Sequence, residues 1–165
     1  MPCVLLTVDE LPTAGLPFRN FCPVTCCAPA HRERGLPSVL IVDDHAAVRA
    51  QIRAAFENYS RFVVCDEAEN GAEAIAKAVV LKPDLIILDL SMPLMNGLEA
   101  AATLRKLLPN VLLFLLTAHN GRATEEAALQ AGVHKVFYKH QDLTLLIEHA
   151  RVVCSEPNGR KLSRK

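Results

Sequence analysis

The fold is decided by residues 85–89, Leu85-Ile86-Ile87-Leu88-Asp89, where four branched apolar residues run without interruption into a carboxylate. Continuous apolar runs of this length are typical of parallel strands that are covered on both faces. Residues 39–42, Val39-Leu40-Ile41-Val42, repeat the pattern and are also followed by an acid, Asp43. We therefore predict a buried parallel sheet with carboxylates at the ends of its strands.

Three further stretches of strand length complete this sheet, at residues 62–65, 111–116 and 135–138. A segment with helical spacing follows each strand, and the second such helix begins with Asn70 as its N-cap and Glu73 reaching back to it. Right-handed crossovers convert such an alternation into one parallel sheet between two layers of helices. The sequence predicts an α/β fold of three layers, with five parallel strands and five helices.

Composition limits both the size of the core and the kind of partner. A chain of 165 residues with 51% hydrophobic content can bury one substantial core. Eighteen basic residues balance eighteen acidic ones, so no overall charge attracts nucleic acid or an anionic membrane. The longest apolar run, residues 111–116, is far shorter than the roughly 20 residues of a membrane-spanning helix. The N-terminus does not resemble a secretory signal, and we expect a cytoplasmic protein.

The chain divides into a central domain and two tails. Residues 1–37 hold six of the ten prolines and show no periodicity, which predicts an irregular or disordered extension. Residues 38–154 form the predicted domain, and residues 155–165 form a short basic tail that we interpret as solvated. Four of the six cysteines lie in the extension. Three of them could be combined with a histidine as a zinc set, Cys22, Cys26, Cys27 and His31, but their spacing lacks the paired arrangement of common zinc sites.

The chemistry-bearing residues gather where the predicted strands end. In an open parallel sheet, function is found in the crevice beyond the carboxyl ends of the strands, which here carry Asp43, Asp44, Asp89, Thr117 and Lys139. Three carboxylates without a countercharge repel one another, so such a cluster usually holds a cation. Oxygen ligands favour Mg²⁺. Beside that ion an aspartate can attack phosphorus, while Lys139 neutralises the phosphoryl oxygens and Thr117 donates a hydrogen bond.

Four separated motifs resemble the receiver domain of two-component response regulators: Val39-Leu40-Ile41-Val42-Asp43-Asp44-His45, Asp89-Leu90-Ser91-Met92-Pro93-Leu94-Met95-Asn96-Gly97, Leu116-Thr117-Ala118 and Lys139. The resemblance covers residues 38–154 in the family's order. It implies a flavodoxin-like sheet with strand order 2-1-3-4-5. The Asp-Asp-His and Leu-Thr-Ala segments are most similar to receivers that precede helix-turn-helix output domains.

The resemblance also implies a role for each acid. Asp89 would be the phosphoacceptor. Mg²⁺ would be bound by Asp43, Asp44 and Asp89, and the backbone carbonyl of Ser91 would complete the ligands from the protein.

The same resemblance assigns the remaining site residues. Lys139 would pair with the phosphoryl group, and Thr117 would move toward it when the aspartate is modified. Ser91 and His119 would tune the lifetime of the acyl phosphate, although a solvent-exposed loop histidine is an equal interpretation of His119.

One position departs from the family pattern. An aromatic residue three places before the lysine usually rotates with the threonine to report phosphorylation, and here that position is Val136. Phe137 and Tyr138 stand beside it, but strand alternation sends these two rings to opposite faces. The resemblance therefore does not decide whether an aromatic side chain reports phosphorylation in this chain.

Taken together, these expectations describe a single-domain response regulator. Its phosphoryl donor would be a sensor histidine kinase or a phosphotransfer protein. It would act by phosphorylation-dependent binding to a downstream protein or as a phosphorelay intermediate, and phosphorylation could drive homodimer formation. We expect no direct binding to nucleic acid or membrane, and no enzymatic activity beyond its own phosphorylation and dephosphorylation.

Three alternatives remain open at this point. A flavin-binding electron carrier needs a hydroxyl- and glycine-rich loop after the first strand, where this chain has Asp43-Asp44-His45. A phosphohydrolase with Asp89 as nucleophile would need a second acid where Ser91 stands. A degenerate receiver that binds partners without phosphorylation is disfavoured by the intact acids, Thr117 and Lys139, whereas Val136 argues mildly for an altered output.

Overall fold

The computed structural model describes residues 35–58, 61–118, 121–139 and 143–155. Residues 1–34 and 156–165 lie outside these ranges, and with them most of the predicted extension and tail and the four residues weighed as a zinc set. His119 also lies outside the described residues. Within the described ranges, no helix is long and apolar enough to cross a membrane.

Strands and helices alternate strictly along the described chain. The ten elements are β1 (Ser38–Val42), α1 (Ala46–Asn58), β2 (Val63–Ala68), α2 (Gly71–Leu81), β3 (Leu85–Asp89), α3 (Gly97–Leu107), β4 (Leu112–Thr117), α4 (Arg122–Gln130), β5 (Lys135–Tyr138) and α5 (Leu143–Ser155). All pairings are parallel, and the strand order is β2-β1-β3-β4-β5. The predicted three-layer, flavodoxin-like fold and its order 2-1-3-4-5 are confirmed.

The sheet separates two apolar clusters, as strand alternation requires. Leu40, Ile86 and Leu113 point toward the side covered by α2, α3 and α4. On the other side, α1 and α5 cover a second cluster that includes Phe56 and Phe114. The three central strands are buried on both faces, which explains why their sequences are apolar without interruption.

Strand β2 is longer than the sequence predicted. We expected residues 62–65, whereas the strand runs over Val63–Ala68 because Asp66 and Glu67 also pair with β1. The register shifts between Val39 and Leu40, so that Cys65 has no partner in the register. As an edge strand, β2 tolerates polar side chains, since basic side chains of neighbouring helices pair with them.

The start of α2 differs by one residue from the predicted capping pattern. The Asn70 side chain accepts a hydrogen bond from the Glu73 N–H at 2.9 Å, as expected of an N-cap. The Glu73 carboxylate reaches one residue further back than predicted and accepts from the N–H of Glu69, at 2.9 Å. At the other end, Lys82 adopts a left-handed conformation with φ 50° and closes the helix before Pro83.

Candidate functional site

The predicted site residues meet at the carboxyl edge of the sheet. Asp43 follows β1, Asp89 ends β3, Thr117 ends β4 and Lys139 follows β5. Asp43 is 1% exposed, Asp89 4% and Thr117 0%, so three polar side chains are buried at this edge. Buried polar groups require partners, and the partners of the two carboxylates define the site.

Lys139 joins the two buried carboxylates. Its Nζ lies 2.7 Å from Asp43 Oδ2 and 3.1 Å from Asp89 Oδ1. Its backbone N–H donates to the carbonyl of Thr117 at 2.8 Å, which fixes the lysine to the end of β4. Residues from three strands that are distant in sequence are therefore brought into one charged group.

The electrostatics of this group follow from its burial. Burial raises the pKa of Asp89 above its ordinary value, and repulsion from Asp43 adds to the increase, while the Lys139 ammonium opposes it. Burial alone would lower the pKa of Lys139, but its ion pairs with the two carboxylates outweigh it, so that this pKa is raised. The lysine thus stays charged at neutral pH.

Asp44 and His45 form a second group that shares Asp43 with the first. His45 Nδ1 lies 2.6 Å from Asp44 Oδ1 and 3.6 Å from Asp43 Oδ1, and the His45 N–H donates to Asp43 Oδ1 at 2.9 Å. One potential ligand atom from each of the three residues lies within 4.8 Å of the others. The sequence places His45 directly after the two acids but predicts no ligand role for it.

The donor set fits a hard divalent cation. Asp43 Oδ2 is buried and makes no hydrogen bond of good geometry with the described residues, although Lys139 Nζ is close enough for an ion pair. A buried carboxylate oxygen without a hydrogen bond is well suited to bind a metal ion, and oxygen donors favour Mg²⁺. Asp89 and the carbonyl of Ser91, the two remaining predicted ligands, are not part of the three-residue cluster of described residues and stay predictions.

The loop between β3 and α3 places Asp89 against the start of a helix. Gly97 packs so closely that a Cβ there would lie 2.2 Å from the Asp89 carbonyl oxygen. Its N–H donates to the carbonyl of Leu90 at 3.0 Å. Asn96 and Glu99 form a complete capping box that begins α3 at this point. Gly97 is needed for close approach rather than for a special turn conformation.

Arg49 is a residue of this region that sequence reasoning missed. It is 8% exposed, and its Nη1 donates to the backbone carbonyl of Asp43 at 2.7 Å. The available signal was its spacing, because Arg49 stands three residues before Ile52 and seven before Phe56, both on the buried face of α1. The guanidinium contacts the backbone that carries the predicted metal-binding acids.

Residues 136–138 of β5 alternate between the two faces of the sheet, as predicted. Phe137 packs against Phe114, with ring centroids 5.3 Å apart, on the side of the sheet covered by α1 and α5. Val136 packs against the opposite cluster. On that side the Tyr138 hydroxyl donates to Glu125 Oε1 of α4 at 2.6 Å.

Comparison with known proteins points to one family. The family model described as the response regulator receiver domain matches residues 39–151. A Pseudomonas aeruginosa protein named as a transcriptional regulator is 39% identical over 118 residues, which cover 72% of this chain and 56% of that protein. Response regulator protein VraR of Staphylococcus aureus is 43% identical over 101 residues, 61% of this chain and 48% of that protein. The chain spans about half the length of these curated relatives.

A solved structure extends the likeness to three dimensions. The crystal structure of the response regulator domain of Thermotoga maritima CheB superposes with a TM-score of 0.67 at 30% identity, covering 73% of this chain and 98% of that one. The strand order β2-β1-β3-β4-β5 and the family match over residues 39–151 are consistent with this likeness. The chain therefore belongs to the response regulator receiver family, and residues 39–151 are its receiver domain.

Proposed function

We propose that Asp89 accepts a phosphoryl group, and that this modification is the signal the domain transmits. The proposal rests chiefly on one observation, the buried pair of carboxylates, Asp43 and Asp89, bridged by Lys139 at the carboxyl edge of the sheet. A buried nucleophile beside a fixed cation is what phosphoryl transfer requires, since catalysis of this reaction is mainly positioning and charge stabilisation.

The transfer follows from the chemistry of these groups. An Asp89 carboxylate oxygen attacks phosphorus, a P–O bond forms, and the P–N bond to a donor imidazole breaks, its electron pair returning to nitrogen. Lys139 pairs with the transferred oxygens, and the Thr117 hydroxyl donates to the same group. When Mg²⁺ is bound, it supplies positive charge to the phosphoryl oxygens. Asp43, Asp44, Asp89 and the Ser91 carbonyl would hold it.

The phosphoryl donor is a sensor histidine kinase or a phosphotransfer protein in this proposal. The product is used either by a phosphorylation-dependent protein partner, a second copy of the chain included, or by the next step of a phosphorelay. The domain catalyses its own phosphorylation and dephosphorylation and turns over no external substrate. We take this stand-alone role as the leading candidate.

A second candidate is control of a DNA-binding output. It is supported by the Pseudomonas relative named as a transcriptional regulator, of which the chain spans 56%. The two candidates share the chemistry at Asp89 and differ in the binding event that phosphorylation triggers. A DNA-binding assay on the phosphorylated chain separates them, because binding that depends on phosphorylation supports only the second.

Incubation with Mg²⁺ and acetyl phosphate, followed by intact-protein mass spectrometry, tests the shared chemistry. We expect one added phosphoryl group on the wild-type chain and none on Asp89→Asn. Ser38→Ala, at the opposite end of the sheet, is the control and should label like the wild type. Equal labelling of Asp89→Asn, or no labelling of the wild type, contradicts the proposal.

A further inference from the structure

Arg49 is a buried cation whose three guanidinium nitrogens each contact a different acceptor. Nη1 donates to the Asp43 carbonyl at 2.7 Å, and Nε donates to Glu67 Oε2 at 3.0 Å. Nη2 donates to Glu69 Oε1 at 3.0 Å. Arginine is almost never buried without such partners, and the planar fork fixes the direction of all three hydrogen bonds. The side chain is therefore held in one orientation.

The contact with Asp43 is made at its backbone. The Asp43 carbonyl belongs to the peptide that joins Asp43 to Asp44, so the direction of this peptide decides where both carboxylates lie. The Asp43 N–H donates to the carbonyl of Ala68 at 3.1 Å, and the carboxylate accepts from the His45 N–H. Arg49 supplies the remaining hydrogen bond, to the carbonyl, and so completes the set that holds this turn.

The carboxylates that hold Arg49 tie the turn to the neighbouring strand. Glu67 belongs to β2, and Glu69 follows its end. Glu67 is itself anchored, because its other oxygen accepts from Arg53 Nε at 2.6 Å. The salt bridges with Arg53 and Arg49 outweigh desolvation and lower the pKa of Glu67, so this carboxylate stays ionised at neutral pH.

We propose that Arg49 is a positioning residue for the metal-binding acids: by fixing the peptide between Asp43 and Asp44 against β2, it sets the affinity of the site for Mg²⁺. The inference rests on the proposed function, because it takes these two acids as Mg²⁺ ligands. Arg49 makes no contact with the phosphoryl group in this proposal. Groups that orient metal ligands typically change metal affinity about 10- to 100-fold when they are removed.

Arg53 provides a matched control on the same helix. It binds Glu67 and, at 3.3 Å, Glu57, but among the described contacts it has none with Asp43. Arg53→Met therefore removes a cation and a Glu67 partner while leaving the Asp43 carbonyl bonded. Arg49→Lys keeps the charge but has one nitrogen instead of three, so it separates the effect of charge from the effect of position.

The experiment compares the wild-type chain with Arg49→Met, Arg49→Lys and Arg53→Met. Three quantities are measured: the Mg²⁺ dissociation constant by calorimetric titration, the exchange rate of the His45 amide in metal-free protein, and the free energy of unfolding. We expect Arg49→Met to raise the dissociation constant about tenfold and Arg49→Lys to raise it by an intermediate factor. Arg53→Met should stay within about twofold of the wild type. The His45 amide should exchange faster only in the Arg49 variants.

Each outcome decides the inference. Equal dissociation constants for Arg49→Met and Arg53→Met overturn it, and so does a loss of stability in the Arg49 variants without a change in Mg²⁺ affinity. If Arg49→Met does not fold, the comparison of Arg49→Lys with Arg53→Met decides in the same way. A wild-type chain that binds no Mg²⁺ overturns both the inference and the proposed metal site. If the wild-type chain binds Mg²⁺ and is phosphorylated, but the Arg49 variants have the same Mg²⁺ dissociation constant as the wild type, only the inference is overturned.

Discussion

The hydroxyl of Tyr138 donates a 2.6 Å hydrogen bond to Glu125 Oε1, and through it β5 holds the first turns of α4. Tyr138 stands directly before Lys139 and is the register partner of Thr117 on β4. Helix α4 has one buried residue, Ala128, and Gly121 at its N-cap position offers no side chain to cap it. The contact therefore joins the reacting group to a weakly anchored helix.

Tyr138→Phe should loosen α4 without changing the core, because it removes only the hydroxyl of this contact. We expect the amides of Arg122–Gln130 to exchange about twofold faster, the low end of the effect of one net hydrogen bond, because the contact is exposed. Hydrogen–deuterium exchange followed by mass spectrometry measures this. The amides of α2 serve as the internal control, and equal rates in α4 of both proteins would refute the prediction.

Gly97→Ala should destabilise the domain strongly. The added Cβ would lie 2.2 Å from the Asp89 carbonyl oxygen and 3.0 Å from its carbonyl carbon, both of them backbone atoms that cannot move aside. We expect a loss of about 2–3 kcal/mol in the free energy of unfolding, measured with urea.

Gly121→Ala is the control for this substitution. Its Cβ would meet the Thr124 hydroxyl oxygen at 3.8 Å, an ordinary contact, and Gly121 has an extended φ of 173°. The expected loss is about 0.5 kcal/mol, the cost of alanine at a cap position. Equal losses for the two variants would show that the approach of Gly97 to Asp89 is not tight.

Asp89→Asn should stabilise the metal-free domain at neutral pH. The pKa of Asp89 is raised in the folded state by burial and by Asp43, so its ionised form opposes folding despite the Lys139 ion pair. Lys139 keeps Asp43 as its partner in this variant, so replacing the charged group with an isosteric neutral one is expected to add about 1 kcal/mol. Asp44→Asn, at a more exposed carboxylate, is the control and should have a smaller effect.

The stability difference between Asp89→Asn and the wild type depends on pH in a way that follows from the raised pKa of Asp89. Because the folded pKa is raised, the favourable contribution of Asp89 is fully present below its ordinary value of 3.8 and is lost as the pH rises through the folded pKa. The stability gap between Asp89→Asn and the wild type should thus be largest at neutral pH and vanish near pH 3.8. A gap of the opposite sign at neutral pH would contradict the prediction.

His134 should make stability fall in mild acid. Its Nδ1 accepts from the Leu113 N–H at 3.0 Å and lies 3.1 Å from Arg105 Nη2, so both contacts need this nitrogen unprotonated. Partial burial and the Arg105 charge lower the pKa of His134 below 6.5. The contribution of neutral His134 to folding stability is fully present above pH 6.5 and is lost as the pH falls through the pKa of His134 in the folded state.

The variant His134→Gln tests this assignment, because it cannot titrate. Unfolding curves between pH 7 and pH 5 should show a smaller decrease in stability for His134→Gln than for the wild type. Parallel decreases would assign the acid sensitivity to other groups.

The sequence predicts what is local or repeated in this fold. Continuous apolar runs locate β1, β3 and β4, and the convergence of parallel strand ends locates Asp43, Asp89 and Lys139 before any coordinate is known. The polar half of β2 could not be predicted from hydrophobicity, because its carboxylates pair with basic side chains of α1 and α2.

Other features depend on contacts that a sequence pattern does not encode. Arg49 is polar on an apolar helix face, and only the position of the Asp43 carbonyl shows why it is buried. Gly97 is required for its close approach to the Asp89 backbone, which only the fold reveals. The bond between Tyr138 and Glu125 joins two elements whose spacing only the fold defines.

The identity of Asp89 as the phosphoacceptor is tested most directly by trapping the acyl phosphate. Borohydride reduction converts a phosphorylated aspartate to homoserine, which tandem mass spectrometry locates in the digested chain. After incubation with acetyl phosphate and Mg²⁺, we predict homoserine at position 89, and none when the metal is chelated. Homoserine at Asp43 or Asp44 instead, or no homoserine in a chain that binds Mg²⁺, would contradict this assignment.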